Sequence, residues 1–122
     1  MNELIDRLVA VTGIDRSVAE KAVAIILDFL LKEGPADKAQ ALIDKLPGAA
    51  QAIDAERASG GGGGFFSMGG LMGAGQRLMG AGLSMPQVQS VTREVVAFAR
   101  EKAGEDAVGE IVGAIPGLSQ FT

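Results

Sequence analysis

Residues 29–48 read FLLKEGPADKAQALIDKLPG, and residues 98–117 read FAREKAGEDAVGEIVGAIPG. Laid over each other at an offset of 69, they match Phe29 with Phe98 and Pro47-Gly48 with Pro116-Gly117. Between these anchors Leu42 falls on Ile111, Ile43 on Val112 and Leu46 on Ile115. The same offset carries Gly13 onto Gly82, Ile26 onto Val95 and Gln51 onto Gln120. Identities are few. What repeats is an order of apolar stripe, breaker and proline stop, which predicts one helical unit written twice.

Periodicity gives the unit three helices. Leu4, Ile5, Leu8 and Val9 form a stripe on a short first helix that ends at Thr12-Gly13. Asp15 can cap the second helix, and Ser17 with Glu20 offers a competing capping box. Its apolar face is Val18, Ala22, Val23, Ile25, Ile26, Phe29 and Leu30, which leaves Arg16, Glu20, Lys21, Asp28 and Lys32 for the solvent side. Asp28 and Lys32 stand at i, i+4 with the acid first, the favourable order. Gly34-Pro35 breaks the run, and Pro35 suits the first turn of a third helix. Ala39, Leu42, Ile43 and Leu46 line that helix until Pro47. In the second half Ser84 and Gln87 replace the Asp15 cap, and Val88, Val91, Val95, Phe98 and Ala99 form the central stripe. Val108, Ile111, Val112 and Ile115 form the last one.

The expected fold is all-α, about six helices in two tandem three-helix repeats packed as a bundle. Repeat 1 covers residues 1–58, a Gly-rich flexible linker 59–70, and repeat 2 residues 71–122. Asp54 to Arg57 extend repeat 1 as a polar helical tail. The join holds eleven of the eighteen glycines, between residues 60 and 82, and opens with Gly60–Gly64. Beyond it Leu71, Met72, Leu78 and Met79 have the spacing of a helical stripe. Gly73, Gly75 and Gly80 weaken that helix by about 1 kcal/mol each and would let a neighbouring backbone approach.

The residue inventory argues against chemistry. In 122 residues there is no His, Cys, Tyr or Trp, so the usual bases, nucleophiles and metal ligands are missing. The expectation is a protein that is not an enzyme and has no cofactor or metal. Asp106 with Glu110 and Glu101 with Glu105 are paired carboxylates that read as solvated helix faces. Gly60–Gly64 leads into Phe65-Phe66 with no lysine nearby, so it is no phosphate loop. Net charge is −4 and neither half is basic, which speaks against nucleic acid. The N-terminus has no secretory pattern and no stretch reaches twenty apolar residues, so a cytoplasmic location is expected. Arg93 and Arg100 share one helix face, as solubilising surface or as a grip on an acidic partner.

One cluster stands out as a contact surface. Phe65, Phe66, Met68, Met72 and Met79 gather flexible, polarizable and aromatic side chains beside the join. They are the candidate partner-binding residues, for another protein or a second copy of this chain. The same spacing also suits the core of the second half. A third reading lays residues 65–83 on a membrane surface, although few basic residues flank them. The runs Gly13 to Pro47-Gly48 and Gly82 to Pro116-Gly117 resemble bacterial families of small, duplicated, all-helical proteins of unknown function. The resemblance implies the fold and no activity. The sequence therefore predicts a protein-interaction or self-association module, with a peripheral membrane protein as the alternative.

Overall fold

The computed structural model describes residues 2–46, 48–58 and 70–115. Within them the chain is all-α: α1 (Asn2–Thr12), α2 (Arg16–Glu33), α3 (Ala36–Asp44), α4 (Ala49–Ala58), α5 (Gly70–Gly80), α6 (Met85–Ala103) and α7 (Glu105–Ala114). The described residues hold seven helices, where six were expected. The addition is α4, read from sequence only as a polar tail. Its apolar stripe is short, with Ala49 and Ile53 buried one turn apart, and the rest of the helix is polar or alanine. That much burial, added to a high-propensity alanine background, holds it as a helix.

Helix α2 is the centre of the bundle. Every residue from Ala22 to Leu30 is buried, and α1, α3, α4, α5 and α6 all pack on it. Over this central stretch the helix has no solvent face left, while Arg16, Glu20, Lys21 and Lys32 stay exposed toward its ends as expected. Asp28 is therefore 0% exposed, which corrects its expected place on the polar side. Its pair with Lys32 forms as the spacing predicts, at 3.3 Å, but from inside the core.

Helix α6, the other long helix, packs on α1, α2, α3, α5 and α7. The first helix on each side of the join lies against the long helix of the other side, α1 on α6 and α5 on α2. Helix α1 runs antiparallel to α6. Gln87 Nε2 donates to the Thr12 carbonyl at 3.4 Å, Arg7 reaches Glu94 at 3.2 Å, and Lys102 faces Glu3 at 3.8 Å. The Gln87 side chain also accepts the Ser84 N–H at 2.9 Å, as the expected cap requires. Asp15 stands at the N-cap of α2 without a side-chain cap bond, and Pro35 at the N-cap of α3, one residue ahead of the expected position.

Two glycines show why the turns sit where they do. Gly13 has φ +74°, left-handed backbone that closes α1 through its N–H on the Val9 carbonyl at 2.9 Å. Gly34 is needed for space. A Cβ there would lie 2.9 Å from the Leu30 carbonyl oxygen and 3.2 Å from Ile111 Cγ2, so this residue lets α7 close on the end of α2.

Candidate functional site

Two features of the bundle gather charge beside buried carbon. The first is an ionic junction among α2, α4 and α5. Arg77, on the inner face of α5, reaches Asp28 at 3.3 Å and Glu56 of α4 at 3.8 Å. Glu56 is 6% exposed. The guanidinium thus stands between two buried carboxylates from two helices, and among the described residues its Nε has no hydrogen-bond partner. Burial of such charges is costly unless they compensate one another. The junction therefore fixes how α4 and α5 sit on α2. A trace of it was visible in the sequence. Asp28 interrupts the apolar run Ala24–Leu31, and Arg77 stands next to Leu78 in an otherwise uncharged helix. Two opposite charges, each alone in an apolar setting, are candidates to find each other.

The second feature is a groove of about 850 Å³ opening between α1, α2, α4 and α6. Its floor is carbon: Ile5, Ala24, Leu46, Ala52 and the Phe98 ring. Its rim is charged, with Glu3, Glu20, Lys21 and Lys102 around Ser17, and Glu56 joins it to the ionic junction. Lys102 Nζ lies 5.3 Å from the centre of the Phe98 ring, and the Arg7 guanidinium lies 5.7 Å from it. Both cations are attracted to the ring face, so α6 presents a fixed wall. Hydrogen bonding to Glu101, reinforced by the charges of Glu101 and Glu94, raises the pKa of Arg7. A volume of this size with an apolar floor and few polar groups fits recognition of an amphipathic body.

Among the expected contact residues, Phe65, Phe66 and Met68 lie outside the described residues, as does the Met72 side chain. Met79 is on α5 and 48% exposed, while Leu78 beside it is 2% exposed, so the expected Leu71/Met72/Leu78/Met79 stripe divides between surface and core at its second turn. Met85 is 52% exposed at the start of α6. Two of the three α5 glycines expected to admit a neighbour, Gly75 and Gly80, do not. A Cβ on Gly75 or Gly80 would meet nothing within 4 Å, which corrects the expected close approach there. The paired carboxylates are taken up separately, Glu101 by Arg7 and Glu110 by Lys38. No three acids converge as a metal site among the described residues, and no described helix is long and apolar enough to cross a membrane. No protein-family model matches the chain, and no curated protein or solved structure is significantly similar to it.

Proposed function

We propose that this chain is a non-enzymatic cytoplasmic interaction module, made of two tandem three-helix repeats, that works by binding another protein or a second copy of itself. The observation that carries this reading is the groove: about 850 Å³ of open, carbon-floored space with a rim of both charges. Helical partners bind in such grooves through an apolar stripe, while flanking charges set orientation. The small side chains of Ala24 and Ala52 leave room for a partner backbone. The exposed Met79 and Met85 add adaptable apolar surface.

The duplication is supported by register and by packing. Helices α2 and α6 start 69 residues apart, as do α3 and α7, and α1 and α5 start 68 apart. The crossed pairings α1–α6 and α5–α2 exchange into each other under that correspondence.

Light scattering over a concentration series, repeated after Ala52→Arg in the groove, tests self-association. Association that weakens in the variant supports it. A strict monomer at every concentration sinks self-association and leaves only a foreign protein. The membrane alternative draws on the exposed Met79 and is tested by flotation with anionic liposomes, where failure to co-migrate removes it.

A further inference from the structure

The correspondence between α2 and α6 has one conspicuous gap. Helix α4 lies along the face of α2 that carries Ser17, Lys21, Ala24 and Asp28. The first three line the groove beside α4, and Asp28 shares Arg77 with Glu56. Under α4, Ala24 is 1% and Asp28 0% exposed. Moved by 69 residues, that face becomes Pro86, Ser90, Arg93 and Ala97 of α6, continued by Arg100. Ser17 and Lys21 are exposed at the end of the α2 face, so the difference lies further along: Arg93 is exposed where Ala24 is buried, and Ala97 is intermediate where Asp28 is buried, with Arg100 also intermediate. No described helix covers this face as α4 covers α2.

The charge of the face differs from that of its counterpart. Arg93 stands where α2 has Ala24, and Ala97 where α2 has Asp28. Arg93 and Arg100, two turns apart, flank the small Ala97. Each of the other arginines with a described side chain, Arg7, Arg16 and Arg77, pairs with a carboxylate. Arg93 and Arg100 have no such pair among the described residues, and Arg100 Nε is buried without a hydrogen-bond partner. A guanidinium in that state is most improved by a carboxylate, which it can bind through two parallel N–H groups.

We infer that the outer face of α6, Ser90/Arg93/Ala97/Arg100, is a docking surface for an acidic helix of a partner protein. The inference rests on the duplication and interaction reading above. The partner helix would lie across α6 as α4 lies across α2, setting small or apolar residues against Ser90 and Ala97 and carboxylates against the two arginines.

The test uses the full chain and two fluorescein-labelled amphipathic helical peptides of Ala and Leu, one bearing Glu on its polar flanks and its twin bearing Lys. Anisotropy should show the Glu peptide binding and the Lys twin not. Arg93→Glu should weaken binding by about tenfold or more, Arg93→Lys less, and Lys38→Glu on α3 not at all. Circular dichroism of each variant separates lost binding from lost fold. Amide shifts on titration should centre on residues 86–100. Equal affinity for both peptides, or an Arg93→Glu variant that binds as well as the parent, overturns the inference. Shifts confined to the Glu20/Lys21/Lys102 groove also overturn it while leaving the interaction reading standing. A dimer of the chain alone that Arg93→Glu dissociates assigns the face to a second copy and overturns the acidic partner.

Discussion

Asp28 and Arg77 are the residues on which the packing of this bundle turns. Arg77 is mostly buried, and removing it leaves Asp28 and Glu56 without the cation between them. Arg77→Leu is expected to cost about 3 kcal/mol in urea denaturation, the usual size for breaking one side of a buried pair. The proposed duplication suggests the repair, because the residue 69 positions before Arg77 is Leu8 and the residue 69 positions after Asp28 is Ala97. Asp28→Ala combined with Arg77→Leu should therefore cost clearly less than the two single changes together. Additive losses would show that the two side chains are not coupled. Lys38 gives a contrasting case at the surface. Its pKa is raised above 10.5 by its hydrogen bond to Glu110, then by the charge of Glu110. A raised lysine contributes stability that is fully present below its unfolded value and is lost as pH rises through the folded one. Wild type and Lys38→Met should thus differ by a small, constant amount through neutral pH, converging only above about 10.5. Convergence near neutrality would contradict the assignment.

At the scale of the helix, what the sequence made legible depended on period and punctuation. Helices α2, α6 and α7 follow their apolar stripes closely, because each stripe is long and bounded by a cap or glycine. Helix α4 does not register as a packing element in the sequence because two buried apolar residues, with Glu56 the third buried position, are too few for a period. Asp28 was misplaced for another reason. Amphipathicity assigns a polar face to any helix with charges, and only the tertiary arrangement shows that the middle of α2, from Ala22 to Leu30, is covered all round. The groove was invisible for the same reason, since Ile5, Ala24, Ala52 and Phe98 come from four helices. Glycines separate by environment. Gly75, Gly109 and Gly113 are helical positions where a Cβ meets nothing within 4 Å. Alanine at each is expected to stabilise by about 0.5–1 kcal/mol. Gly34→Ala should instead cost about 1–3 kcal/mol, because the new methyl meets backbone and Ile111. Ranking the four variants by urea midpoint checks both directions, and a stabilised Gly34→Ala would contradict the close contact of α7 with the end of α2.

For the whole molecule the decisive feature is the crossing of helices between the two sides of the join. Helix α1 rests on α6 as well as on α2, and α5 on α2 as well as on α6, so the two sides share one core. Such an arrangement can close within one chain or between two, and the contacts would be the same. The described contacts belong to a single chain, with Glu3 and Lys102 facing each other at 3.8 Å on an accessible surface. Because the chain contains no cysteine, Glu3→Cys with Lys102→Cys gives one unambiguous cross-linking pair. At high dilution a short bismaleimide should join these positions within one chain, leaving a faster-migrating monomer on a denaturing gel. Glu3→Cys alone should show no such band. If the covalent product is instead a dimer that persists on dilution, the helices are exchanged between two chains. The groove and the outer face of α6 would then belong to an obligate pair, and each recognition surface would appear twice on the assembly, related by its two-fold axis.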